Sequence, residues 1–419
     1  AQTREVLIEG NYLFDNGNDG SSYEHNSYTA AVGITFQYNR YGLLRTGCLG
    51  NNLKDRSAGL VVRYNWIEGG NRQLDLVDGE DDPAIQADPR YRQTYAYGNV
   101  LVEPDGAGNR QIVHYGGDSG NTALYRKGTL YFYQNTVLST RTDRTTLFRL
   151  STNEEQCDCR NDILYVSAAG NTLSLLDDTG KLTLTHNWLR PGWVQSFGGT
   201  SGTLLNDGSN LGSAAPGFLY EPGQNFRLAP ASVCIDAGTN LHPAVLPGYE
   251  VTQECLNPQT GGTRRTDQRL DLGSYEYSPW HAWQFAQFGP GYPGSALTAD
   301  AADPDGDGVA NLLEYAFGMN PNSASRSALP AASMIATNDN NYLAVRFSRR
   351  LPPSELTYTV QTSTDLVGWT DGVAWSDSGA VTSVGHTTVV SGGTNTVVRV
   401  DTPLSILPQM FLRVRVERK

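Results

Sequence analysis

Cysteine is sparse in this chain of 419 residues: Cys48, Cys157, Cys159, Cys234 and Cys255 are all there are. So few thiols exclude a disulfide-dense scaffold. Cys234 and Cys255 close a 22-residue segment and form the expected bridge. Cys157 and Cys159, two apart on an expected strand, would strain a mutual bridge and read as buried thiols. No zinc site is expected, because further ligands at the required spacing are missing. Lysine is scarce too, and the net charge is −12. Non-specific nucleic-acid binding and adhesion to anionic membranes both need a basic surface, so neither is expected. An acidic polysaccharide stays open as a partner, since a local basic groove can coexist with a negative total. Long apolar runs are missing, and nothing reads as a membrane span. No secretory signal opens the chain, which begins Ala-Gln without a Met, as a processed product would.

What the chain has is glycine, asparagine and tyrosine, with 45 Gly and 22 Tyr. That balance suits short strands joined by tight turns and favours an all-β fold. Seven asparagines, Asn11, Asn39, Asn65, Asn99, Asn135, Asn161 and Asn187, recur at intervals of 28, 26, 34, 36, 26 and 26 residues. Each has an apolar or aromatic residue two positions on. These spacings are too long for hairpins and point to one repeated, stacked unit. Each interval holds two or three short Val-, Ile-, Leu-, Tyr- and Thr-rich runs, such as residues 59–64, 73–77, 111–115, 128–133 and 145–149. Three strands per turn, stacked about 4.8 Å apart, make a parallel β-helix with a narrow apolar interior. A buried Asn at one corner of every coil would satisfy the backbone turns above and below it. Propeller blades repeat at roughly 40–50 residues, which weighs against that alternative.

The fold class expected is all-β: a right-handed parallel β-helix over 1–278, a short helical calcium-binding linker over 279–329, and a small antiparallel β-sandwich over 330–419. Pro279-Trp-His-Ala-Trp-Gln-Phe-Ala-Gln-Phe288 has helical apolar spacing, residues 309–318 form a second short helix, and 343–347, 358–361 and 411–416 alternate as strands.

The sharpest motif is Asp303-Pro-Asp305-Gly-Asp307-Gly308-Val309-Ala-Asn311-Leu-Leu-Glu314. Its oxygen ligands at loop positions 1, 3, 5 and 9, the position-7 carbonyl of Val309 and a bidentate carboxylate at position 12 match a Ca²⁺ loop, with glycine at position 6 for the turn. The expected role is structural. Along the coils, positions comparable relative to each Asn carry His25, Lys54, Arg56, Asp75, Asp78, His114, Tyr115 and Arg149. Stacked as an outward stripe, they would suit acid–base work on an extended polymer. For β-elimination on a uronate, Lys54 or His25 is the candidate base, Arg56 or Arg149 the carboxylate clamp, and His114 or Tyr115 the acid. For hydrolysis, the carboxylate pair is Asp75 with Asp78, or Asp78 with Asp118.

Three resemblances accompany this reading. Phe226-Arg-Leu-Ala-Pro-Ala-Ser-Val-Cys-Ile-Asp-Ala-Gly238 followed by Arg269-Leu-Asp-Leu-Gly-Ser-Tyr-Glu-Tyr277 resembles the closing segment of secreted bacterial right-handed β-helix proteins of the pectate-lyase-like superfamily, and stretch 25–149 is similar to an uncharacterised group of them. The calcium loop with its following Glu-Tyr-Ala-Phe-Gly-Met-Asn-Pro resembles thrombospondin type 3 and dockerin modules. Dockerins carry two such loops and this chain one, which implies a hinge rather than a partner module. Asn52-Leu-Lys54-Asp-Arg-Ser57, with Arg63-Tyr-Asn65-Trp-Ile67, looks like the lysine-bearing coil of β-helical alginate and chondroitin lyases. Their Arg-His-Gly on the next coil reads Leu76-Val77-Asp78 here, and the polygalacturonase motif series is absent. The resemblances imply a secreted or bacterial cell-surface protein that binds and cleaves an extracellular acidic polysaccharide. The alternative is a structural or adhesive protein, self-associating head to tail through an open first coil.

Overall fold

The computed structural model describes residues 3–266, 269–381, 385–406 and 409–418. Three parallel sheets dominate the first part. One has the strands Arg4–Glu9, Val32–Gln37, Ala58–Arg63, Gln93–Tyr97, Thr129–Tyr133, Gln156–Arg160, Lys181–Thr185 and Thr203–Asn206, in that order. A second runs Tyr12–Leu13, Arg40–Tyr41, Trp66–Glu68, Val100–Glu103, Thr136–Ser139, Ile163–Val166, Trp188–Leu189. The third runs Ser27–Thr29, Leu53–Asp55, Leu74–Leu76, Gln111–Tyr115, Arg144–Leu150, Thr172–Leu176. For most of its turns the chain visits the three in sequence and returns to the first one strand further on. This coil is β-helix-like, as the recurring asparagines imply.

Alternate residues of every strand point inward and fill one core. Phe36, Val62, Ala96, Phe132, Cys159 and Leu184 form one column of it. Cys157 and Cys159 pair in register with Leu130 and Phe132 on one side and Leu182 and Leu184 on the other. They serve as small apolar side chains, each buried among aliphatic and aromatic neighbours. Burial of a Val, Leu or Phe is worth about 1.5–3 kcal/mol, so the column is a major source of stability.

The asparagines form the ladder, with one shift of register. Asn11 Nδ2 donates to Asn39 Oδ1 at 2.9 Å, Asn39 to Asn65 at 3.0 Å, Asn65 to Asn99 at 3.1 Å and Asn99 to Asn135 at 3.0 Å. The next rung is Asp162, not Asn161: Asn135 Nδ2 donates to Asp162 Oδ1 at 3.0 Å. Asn161 holds the left-handed turn position before the rung, φ 58°, which Tyr38, Tyr64, Gly98, Gln134 and His186 occupy in other coils. The ladder resumes at Asn187 and gains a further rung, Asn210, which accepts from Asn187 Nδ2 at 2.9 Å.

Each rung amide from Asn39 to Asn187 also donates to a carbonyl three residues before the preceding rung, as Asn99 does to Val62 and Asn135 to Ala96. The counterpart for rung 162 is the carbonyl of Phe132, and a carboxylate has no N–H to offer it. Burial drives the Asp162 carboxyl well above the usual range, against the hydrogen bonds from Asn135. An acid whose pKa rises on folding contributes full stability below its unfolded value, about 3.9, and loses it as pH climbs through the folded value. Asp162→Asn is therefore expected to stabilise the fold at pH 7 by about 1–3 kcal/mol, with the gain vanishing below about pH 4. Denaturant titrations of both proteins across pH 3.5–8 check this; a pH-independent difference would contradict it.

Among the described residues, no strand after Thr203–Asn206 joins the three sheets, so the coil ends well before residue 278. The chain instead packs along the outside. Tyr38, Tyr64, Tyr97 and Tyr133 make a row of ring contacts there. Tyr64 and Tyr133 donate to the carbonyls of Glu250 and Tyr249. The closing motif works as a clasp: Asp271 accepts from the backbone N–H of Asp236 and Tyr277, and Ser274 N–H bonds Thr136 Oγ1 at 3.0 Å. A Cβ on Gly273, φ 89°, would come within 2.8 Å of both Thr136 and Ile163.

No disulfide joins any of the five cysteines, so the expected Cys234–Cys255 bridge is corrected. Cys234 turns its thiol to the Pro216 carbonyl at 3.6 Å, while Cys255 lies in the hairpin Gln253–Leu256/Thr260–Thr263, whose Gly261 packs on Tyr38. Sequence separation alone carried that pairing, and the two segments dress different coils.

The chain divides into two compact units, Ala1–Phe218 with Ala231–Tyr277, and Leu219–Pro230 with Ser278–Lys419. The second has two four-stranded antiparallel sheets and the helices Pro279–Phe288 and Asn311–Phe317. Ser278 caps the first helix by accepting from His281 N–H at 3.1 Å, and Gly318, φ 75°, ends the second. Trp280, Trp283, Tyr315 and Phe317 from the helices share one buried cluster with Phe347, Tyr358 and Trp375 from the sheets. The helices belong to that core rather than to a separate linker. Among the described residues, no helix is long and apolar enough to cross a membrane.

Candidate functional site

Parallel register on the third sheet puts Tyr28 beside Lys54, Lys54 beside Asp75, Asp75 beside His114 and His114 beside Arg149. Because side chains alternate along a strand, Leu53, Leu74, Leu76, Val113, Phe148 and Leu150 face the core and this line faces out.

Asp75 is the hub. One carboxylate oxygen meets His114 Nδ1 at 2.7 Å, and the other takes Lys54 Nζ at 3.1 Å and Asn51 Nδ2 at 2.7 Å. Arg72 approaches to 3.5 Å. Burial would raise the Asp75 carboxyl, but the His114 hydrogen bond and the charges of Lys54 and Arg72 hold it well below the carboxylate range. Lys54 also bonds Asp118, and although burial works against its charge, the two carboxylates raise its pKa. Asp118 in turn meets Arg56 at 2.8 Å, and Arg56 reaches Glu80 at 3.0 Å and the Tyr28 hydroxyl at 2.6 Å. The Tyr28 ring lies under both cations, about 5.7 Å from Lys54 and 5.6 Å from Arg56. Beside this network, Tyr28, Thr29, Arg56, Asp81, Asp82 and Ile85 line a pocket of about 300 Å³.

The two histidines hold opposite tautomers. His25 Nδ1 accepts from Asn51 N–H at 2.8 Å, which leaves the proton on Nε2, and burial followed by the Lys54 charge lowers its pKa to about 4. His114 is fully buried; burial lowers its pKa despite Asp75, with Arg72 and Arg149 adding to the effect. A neutral His114 facing an ionised carboxylate keeps its proton on Nδ1, so Nε2 is an acceptor. Its partner at 2.9 Å is the hydroxyl of Ser151.

Of the residues singled out from sequence, His25, Lys54, Arg56, Asp75, His114 and Arg149 come together here, with Arg149 exposed. Tyr115 does not: it is wholly buried in the apolar core, because neighbours on a strand face opposite ways. A role as acid for Tyr115 is corrected accordingly. Asp78 is also buried, and its Oδ1 accepts from the backbone of Asp118 at 2.8 Å, so it shapes the loop and presents no carboxylate. Asn51, Arg72, Glu80 and Ser151 were missed. Ser151 had one signal, two residues beyond Arg149 on the same face.

In the second unit, Asp303, Asp305 and Asp307 bring carboxylate oxygens within 4.8 Å of one another. Asp303 accepts from Gly306 and Gly308 N–H, and Asp307 from Val309 N–H at 2.8 Å, which curls the loop round a common centre. Glu314 is fully buried, and burial followed by Asp305, Asp307 and Asp303 pushes its carboxyl up to about 7. Both its oxygens, Asn311 Oδ1 and Asp305 Oδ2 have no hydrogen-bond partner among the described residues. Orphaned buried oxygens of this kind, all hard donors, fit a divalent cation that takes six to eight oxygens.

No protein-family model matches the chain, and neither a curated protein nor a solved structure does.

Proposed function

We propose that the chain is a secreted right-handed β-helix protein of the pectate-lyase-like kind that binds an extracellular acidic polysaccharide across its third sheet and acts on it by hydrolytic rather than lyase chemistry. One observation carries the reading: the outward line Tyr28–Lys54–Asp75–His114–Arg149, which crosses five coils in register. A polymer laid along it meets an exposed tyrosine ring at one end and the exposed Arg149 at the other. Elimination is less well served, because Lys54 and Arg56 are already matched by Asp75, Asp118 and Glu80 and have little charge to spare for a uronate. The second unit, on this reading, is a β-sandwich stabilised by structural Ca²⁺ held by Asp303, Asp305, Asp307, the Val309 carbonyl, Asn311 and Glu314. Neither nucleic acid nor membrane insertion belongs to it.

A panel of uronate-containing and neutral polysaccharides tests this, followed by affinity gel retardation, reducing ends and the absorbance of unsaturated products. Retention of acidic polymers is expected, weakened about five- to tenfold by Arg149→Glu, as fits one exposed ionic contact worth about 1 kcal/mol. Neither binding nor product across the panel would sink the proposal. A structural role would then gain weight from the first coil, where Leu7, Tyr12 and Phe14 are 56%, 47% and 51% exposed beside the edge strand Arg4–Glu9. Ordered fibres in electron micrographs would mark that outcome.

A further inference from the structure

We infer that Ser151 is the nucleophile of an ester hydrolase, activated by His114 and Asp75, and that the bond broken is an O-acyl ester carried by a sugar. The geometry is complete from the buried end outward. Asp75 Oδ1 lies 2.7 Å from His114 Nδ1, and His114 Nε2 lies 2.9 Å from Ser151 Oγ. These distances are what a nucleophile, a base and the group orienting that base require. Asp75 is ionised and fixed by Asn51, Lys54 and Arg72. The three residues come from three successive coils, Leu74–Leu76, Gln111–Tyr115 and the end of Arg144–Leu150. Ser151 is half-buried, so it alone of the three reaches solvent, whereas His114 and Asp75 are 2% and 1% exposed.

The surroundings are built for close approach. Gly117 N–H donates to Ser151 Oγ at 2.9 Å, and a Cβ on Gly116 would lie 2.5 Å from that oxygen. The serine hydroxyl also lies 3.0 Å from the Gly117 carbonyl and 3.4 Å from that of Tyr115. Its one proton has three acceptors, of which only His114 is a base. Arg149 stands beside His114 in register and its charge is felt there, so it would bring positive charge toward an oxyanion formed at Ser151. A glycosidic bond fits less well: cleaving one calls for a protonated carboxylic acid opposite a carboxylate. Asp75 and Asp118 are both held ionised by cations, and Asp78 is buried.

In the reaction, Ser151 Oγ attacks the ester carbonyl carbon while its proton passes to His114 Nε2. Collapse of the tetrahedral intermediate breaks the bond to the sugar oxygen, which leaves with that proton. Water, deprotonated by the same nitrogen, then cleaves the acyl-serine, releasing the carboxylic acid and restoring the hydroxyl. The natural substrate rests on the polysaccharide reading; the chemistry does not.

The test treats the full chain with a fluorophosphonate probe, with p-nitrophenyl acetate, and with acetylated polygalacturonate assayed for acetate release. Expected are one adduct, located on Ser151 by peptide mass spectrometry, and ester turnover that falls at least about 10³-fold in Ser151→Ala. Thermal melting of Ser151→Ala within about 2 °C of the parent shows that the loss is not unfolding. No adduct on Ser151, or turnover unchanged in the variant, overturns the inference. Labelling of Ser151 without retention of any acidic polymer supports the inference and removes the polysaccharide reading; polymer binding without labelling does the reverse.

Discussion

Adding Ca²⁺ to chelator-treated protein is expected to stabilise the second unit strongly and to leave the parallel coil unchanged. The loop without a cation is poorly balanced: three aspartates bring carboxylate oxygens within 4.8 Å of one another, and the fully buried Glu314 leaves both oxygens without partners among the described residues. Unpaired buried carboxylates cost several kcal/mol, and a cation that coordinates them removes that cost in the folded state alone. At a free concentration 1,000 times the Kd, linkage gives about 4 kcal/mol. For a unit of this size that corresponds to a rise in Tm of about 8–16 °C. The effect propagates through the helix Asn311–Phe317, whose Tyr315 and Phe317 sit in the unit's aromatic cluster beside Val309. Calorimetry with and without Ca²⁺ should show one transition move and the other stay. Glu314→Gln should reduce the shift to a small residue. Parallel movement of both transitions, or none, would contradict the assignment.

Replacing Arg126 by methionine is expected to cost the first unit about 3–5 kcal/mol, the usual consequence of stranding one member of a buried ion pair. Arg126 is wholly buried, and its guanidinium donates to the carbonyls of Val77 at 2.9 Å and Ser57 at 2.8 Å. It also stands 3.6 Å from the equally buried Asp55. Burial raises the Asp55 carboxyl, and Arg126 leads the groups that oppose this, ahead of the hydroxyls of Thr29 and Ser57. Methionine would fill the space and satisfy none of these acceptors. Because Val77 and Ser57 flank Asp78 and Arg56, the candidate site should loosen with the fold. Urea denaturation measures the loss, and Asp55→Asn in the same background should recover part of it. A midpoint unchanged from the parent would show the ion pair to be dispensable.

The repeat was legible because a β-coil forces one residue type to the same corner at a readable interval. It was misread by one position at Asn161–Asp162, where two residues able to serve as rungs lie side by side and only the strand register, Tyr133 opposite Arg160, decides between them. The stripe was legible for the same reason: parallel register aligns Lys54, Asp75, His114 and Arg149 without any linear motif. Tyr115 shows where this stopped, since strand parity allows only one of His114 and Tyr115 to face out. Arg126 and Glu80 were harder still. They arrive on excursions between strands, and nothing in an asparagine interval reports where an excursion folds back. The Cys234–Cys255 pairing failed for a related reason, as loop length does not encode direction.

The intervals themselves carry a last implication. Rungs 65 to 99 and 99 to 135 are the longest, at 34 and 36 residues, against 28 or fewer elsewhere. Their surplus is spent on two departures from the wall. The first carries Glu80, Asp81 and Asp82 into Pro83–Ala87, and the second carries Asp118 and Arg126 from Gly116 onward. The hydrogen-bonded rungs keep their spacing through both, so extra chain can be paid out at a coil corner without disturbing the strands above or below. Ligand preference can then change by lengthening or recasting those two excursions while the barrel of coils beneath stays the same, which makes them the natural sites for grafting a new specificity.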